Sequence, residues 1–204
     1  MSIVAAQGAS ADARPLRADA RRNRERVLEA ARDVFADHGH EAQMDEIARR
    51  AKVGVGTVYR HFPTKEVLTA ALVADSFRRI GDQLDEALAE DGDPWEAFTA
   101  VLWFGAELMA GNRGLTEAIG VMPTAPGDMP GVERVHERMD VLIRRAQETG
   151  ALRPDLCVDD IPMVMCGVGA ATRKPHSCPE SWRRHLSILL DGMRAQAATA
   201  KLPD

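Results

Sequence analysis

The stretch from Ile47 to Lys65, IARRAKVGVGTVYRHFPTK, holds two short helical patterns joined by a turn. Ile47, Ala48 and Ala51 repeat at helical spacing, Val53 and Gly54 read as the turn, and Thr57 to Phe62 form the second helix. Val58 and Phe62 stand four apart and face inward. Thr57, Arg60 and His61 are then left on the outer faces, with Tyr59 at the boundary. Such a set can donate hydrogen bonds to phosphates and base edges, so the stretch predicts a helix-turn-helix that meets DNA. Pro63, Thr64 and Lys65 open the next helix with Thr64 as N-cap, which sets a lysine and free backbone amides where an anion binds.

Charge sorts the rest of the chain. The 204 residues carry a net charge of -5, yet residues 14 to 65 hold 12 basic against 8 acidic side chains and residues 66 to 204 hold 14 against 22. DNA attracts the first segment and repels the second, so only the N-terminal end approaches a duplex. Aromatic residues make up only 4% and β-branched runs are scarce, which predicts an all-α chain. No apolar run is long enough to span a bilayer and the N-terminus lacks a signal-peptide pattern, so a cytoplasmic protein is expected, with no membrane contact. Cys157, Cys166 and Cys178 show no paired ligand spacing and read as reduced thiols.

Residues 1–16, rich in Ala, Ser and Gly, read as a disordered arm; 17–64 as the DNA-binding head; and 65–204 as a second domain. A first helix is predicted from Asp19 to His38, with Val27, Leu28, Ala31, Val34 and Phe35 inward and Gly39 as its stop. Its Arg21, Arg22, Arg24 and Arg26 suit a DNA backbone, although such a run is more often a solvated face. The helix from Lys65 runs past Leu84, long enough to leave the head and connect the two domains. Trp95 to Gly111 is apolar on almost every side, which predicts burial all round. A short helix near Leu115 to Val121 and a Pro- and Gly-dense loop from Met122 to Pro130 follow. Further helices are predicted from about Val132 to Thr149, Asp159 to Ala171 and Glu180 to Ala198. In the last two, Gly167, Gly169, Trp182, Leu186, Leu189, Leu190 and Met193 exceed what one core requires and suggest a homodimer interface. The competing reading is that both helices complete the monomer core.

The residues also resemble the TetR family of transcriptional regulators. The likeness rests on Phe35, Ala36 and Gly39, the block Met44-Asp45-Glu46-Ile47-Ala48, the turn at Val53 and Gly54, the run Val55 to Phe62, and Lys65 three positions on. It covers about residues 20 to 70; beyond residue 80 it extends only to helix count and order. The resemblance implies an all-helical homodimer with a three-helix head and a larger C-terminal domain that binds a small effector and pairs through its last two helices. It makes Thr57 and Arg60 the base contacts and Tyr59, His61 and Lys65 the phosphate contacts, with Val55 and Gly56 opening the recognition helix for close backbone approach. Gln43 and Met44 start the preceding helix where many members carry a capping Thr or Ser, and Gly54 stands where Ser often caps.

The same resemblance places Trp103, Phe104, Met109, Met122, Met139, Met163 and Met165 on helices packed around a cavity, where methionine suits an adaptable pocket. Glu107, the one carboxylate within that apolar helix, would favour cationic ligands if it lined the cavity, or else pairs with an arginine. The function expected is a repressor released from a palindromic double-stranded operator by a small molecule. No nucleophile elbow, Gly-rich phosphate loop or metal motif points to an enzyme, a cofactor or a metal. The alternatives are a redox sensor using the cysteines with His176, and an architectural DNA-binding protein without an effector. The acidic bulk is ill suited to compacting DNA. His136 reads as an ordinary exposed or hydrogen-bonded histidine.

Overall fold

A computed structural model of the chain describes residues 13–111, 131–173 and 180–203. Among them the fold is helical, with 8 α-helices and two short 3-10 helices, Gly39–Glu41 and Ala195–Ala197. The expected helix near 115–121, the loop from Met122 to Pro130, and His176 with Cys178 lie outside the described residues. Two compact units divide after Leu68.

In the first unit, α1 spans Ala13–His38, α2 Met44–Ala51 and α3 Val55–His61. Helix α1 starts at Ala13, before the expected Asp19, and so takes in residues read as the end of the arm. It stops where Gly39 turns left-handed at φ +56, a conformation that side chains rarely adopt. Val27, Ala31, Val34 and Phe35 of α1, Ile47, Ala48 and Ala51 of α2, Val58 of α3 and Phe62 at its end are all buried. The helical spacing read from the sequence is therefore the packing of the head. Truncating a core aromatic such as Phe62 removes about 3–5 kcal/mol, which rivals the whole stability of a domain this small.

Helix α4, Lys65–Ala89, begins in the first unit and continues in the second. Thr64 caps it as expected, its Oγ1 accepting from the Val67 amide at 3.3 Å. The second unit adds α5 Pro94–Ala110, α6 Val132–Glu148, α7 Asp160–Arg173 and α8 Ser181–Met193. Asp93 caps α5 through Oδ1 to the Trp95 and Glu96 amides (2.8 and 3.0 Å), with Pro94 at the first helical position. The core gathers Leu84, Phe98, Leu102, Met139, Leu142, Ile143, Leu152, Val168, Leu186 and their neighbours. Helix α5 is not buried all round: Trp103, Phe104, Leu108 and Met109 are only half-buried. No helix among the described residues is long and apolar enough to cross a membrane.

Polar contacts hold the edges of this unit. Arg134 bridges Asp82 and Asp85 of α4, Arg138 meets Asp85 at 2.8 Å, and Arg145 donates to the Leu88 carbonyl at 2.9 Å, so one face of α6 is strapped along α4 by ions. At the other end, buried Arg153 pairs with Asp155 (Nε to Oδ1 2.6 Å, Nη2 to Oδ2 3.0 Å) and donates to the Ala200 carbonyl at 2.8 Å. Asp155 accepts in turn from the Leu202 amide at 2.8 Å. The Arg153 guanidinium holds the Asp155 carboxyl well below the usual carboxylate range, and the Leu202 amide adds to this.

Candidate nucleic-acid interface

The turn that presents α3 is built differently from the sequence expectation. Lys52, not a glycine, takes the left-handed conformation, at φ 55 and ψ 44. The Val53 amide donates to the Ala48 carbonyl at 3.1 Å and the Lys52 amide to Arg49 at 3.2 Å, the paired bonds of a Schellman ending. Gly54 sits at φ -67 and ψ 144, an extended N-cap open to any residue. Arg26 of α1 secures the turn, its Nη2 donating to the Ala51 carbonyl at 2.7 Å and to Lys52 at 3.3 Å. The N-terminal arginines therefore have partners within the head: Arg26 here, Arg24 over the Phe62 ring at 5.4 Å, and Arg21 and Arg22 with Glu25 and Asp19.

Helix α3 buries Val58 and Phe62 and exposes Val55, Gly56, Tyr59 and Arg60; Thr57 and His61 are half-buried. The exposed stripe thus includes Tyr59, expected at the boundary, and is centred between Gly56 and Arg60. Lys65 is half-buried, with Nζ 5.6 Å from the centre of the Phe35 ring. Gln43 is exposed and makes no side-chain cap to α2; its Nε2 donates instead to the Glu41 carbonyl at 2.9 Å. Met44 departs from the expectation: its side chain is 8% exposed and packs in the head's apolar interior, so that side chain is not presented to a duplex.

The residues expected to line an effector cavity separate into groups. Trp103 of α5 meets Trp182 of α8 with ring centres 6.1 Å apart, and the Met165 methyl lies 3.4 Å from where a side chain on Gly105 would begin. Phe104 carries Arg79 over its ring at 5.6 Å. Met109 is half-buried and Met139 is sealed in the core. Met163 departs from the group at 74% exposed, while Met122 lies outside the described residues. Glu107 is exposed and takes the arginine alternative, its Oε1 3.2 Å from Arg183.

The stripe expected to pair two copies mostly turns inward. Trp182, Leu186, Leu190 and Met193 fill the unit's own core, and Gly169 is buried with them. The side that α7 and α8 leave open carries Met163, Cys166 and Gly167 on one helix and Ile188, 59% exposed, on the other, with Leu189 half-buried. His185 lies across this seam, its Nε2 3.5 Å from the position of a Gly167 side chain. Among the described residues no three His, Cys, Asp or Glu side chains cluster as metal ligands, and His136 pairs with Asp159 at 3.2 Å.

Comparison with known proteins agrees with this architecture. Residues 27–72 match the family model for bacterial regulatory proteins of the tetR family, and residues 93–195 match that of the SbtR-like regulator C-terminal domain. The transcriptional repressor KstR of Mycolicibacterium smegmatis is 33% identical over 136 residues, 64% of this chain and 65% of that protein. The crystal structure of a TetR regulatory protein from Mycobacterium vanbaalenii superposes with a TM-score of 0.65 at 39% identity, over 88% of this chain and 99% of the other. A TetR regulator from Streptomyces coelicolor gives the same TM-score at 29% identity, over 84% of this chain and 98% of the other. With a helix-turn-helix head and a helical C-terminal unit, each matched by its own family model, the chain belongs to the TetR family of DNA-binding transcriptional regulators.

Proposed function

We propose that the protein is a homodimeric repressor that binds a palindromic operator and leaves it when a small, mostly apolar molecule occupies the second unit. The observation that carries the reading is the exposed stripe Val55, Gly56, Tyr59 and Arg60, set out from a head whose apolar residues on the other helices pack inside. Arg60 suits bidentate pairing with a guanine edge, and Tyr59, His61 and Lys65 suit phosphates. The repressor sense comes from the KstR relatives, repressors by name. Two heads must sit about one helical turn of DNA apart, roughly 34 Å, so a modest change in their spacing is enough to release a duplex. Helix α4 belongs to both units and is the natural carrier of that change.

The second copy docks on the open side of α7 and α8, through Met163, Gly167, Ile188 and Leu189. The effector meets Trp103, Phe104 and Met165. Because Arg183 already neutralises Glu107, a neutral apolar compound is favoured over the cation expected if Glu107 stood alone. The test is a titration of labelled duplex, taken by the protein from a randomised pool, with hydrophobic neutral compounds, cations and acids. Release by neutral compounds supports the reading. Tight binding to asymmetric sites, or effector binding without release, counts against it.

A further inference from the structure

In the head, the exposed large apolar side chains among the described residues are Val55, Tyr59 and Val67, all on α3 or the first turn of α4. Among the other residues of that unit whose burial is described, such side chains are buried or half-buried. Val55 is 39% exposed at the first position of α3 and pairs by helical spacing with Tyr59 one turn on. Gly56 beside it bears no side chain, and beyond its chain neighbours and its own helix's backbone nothing lies within 4 Å of where one would begin. An apolar group so placed gains nothing from water and nothing from phosphate.

The floor of the major groove offers it a partner. Base edges there present hydrogen-bond donors and acceptors together with one apolar group, the C5-methyl of thymine. We infer that Val55 is a specificity residue that reads a thymine methyl in the operator, an assignment that rests on the operator-binding reading above. Arg60 lies five residues further along the same exposed stripe, about 7.5 Å at 1.5 Å per residue.

The test uses the full-length protein and a duplex it enriches from a randomised pool, with each thymine replaced singly by deoxyuracil. That change deletes the methyl and leaves the base pair intact. Burying one methyl is worth about 0.8 kcal/mol, so wild-type protein should lose about fourfold in affinity at the thymine it reads. Val55→Ala, at an exposed helix start where alanine is well tolerated, should narrow the gap between thymine and uracil versions and melt no lower than wild type. A wild type indifferent to uracil at every position overturns the assignment. So does a uracil penalty that persists undiminished in Val55→Ala, which would give the methyl to another side chain such as Thr57. If no duplex is enriched at all, the operator-binding reading fails, and this one with it.

Discussion

Gly56 is the residue at which folding and binding should pull in opposite directions. It lies inside α3, where glycine costs up to about 1 kcal/mol relative to alanine, and a side chain there would meet nothing beyond its chain neighbours and its own helix. Gly56→Ala should therefore raise the melting temperature while weakening DNA, since the added methyl occupies space the duplex must enter. A variant that melts higher and binds unchanged would show that no base or sugar comes close. Lys52 makes a complementary case, because its left-handed backbone costs about 1 kcal/mol that glycine would not incur. Lys52→Gly should stabilise the head in thermal melts and leave DNA affinity alone. The sequence did not reveal this residue: the glycine two positions on is the stronger turn signal, and the strained lysine is held by Arg26, 26 positions upstream. Met44 escaped for a related reason, since a single apolar residue at a helix start carries no period.

Among the elements, the helices with the clearest spacing were the most legible. Val58 on α3, Phe62 at its end and the inward set of α6 follow from three- and four-residue repeats, and the Thr64 cap of α4 from its residue type ahead of the helix. Periodicity on α8 shows that one face is covered without saying by what, and Trp182, Leu186, Leu190 and Met193 turn out to be covered by their own unit. The Arg153 and Asp155 pair, which ties the segment after α8 to the loop after α6, had no sequence signature because its partners include the backbone of Ala200 and Leu202. Asp155 has its folded pKa depressed, so its stabilisation is full above the unfolded carboxyl value of about 4 and is lost as pH falls through the lowered folded value. Asp155→Asn should melt below wild type at neutral pH, with the gap closing as the solution is acidified below about pH 4. Parallel melting curves across that range would remove the pair from the stability of this unit.

At the scale of the whole molecule, the open side of α7 and α8 and the exposed stripe of α3 make separable claims. Replacing Ile188, exposed in the single chain, by Arg leaves the core intact but would bury an unpaired charge between two copies. Ile188→Arg should sediment as a folded monomer and lose affinity for a two-fold site; a variant that stays dimeric would place the contact elsewhere. The central claim, that the α3 stripe reads DNA, is tested most directly by measuring affinity for a pool-selected duplex against salt in wild type, Arg60→Ala and Lys65→Ala. Wild-type binding should fall steeply with salt, Lys65→Ala should flatten the slope by about 0.9 for one phosphate, and Arg60→Ala should cost about 1–3 kcal/mol for a lost base contact. Three proteins with equal affinities and equal slopes would contradict it.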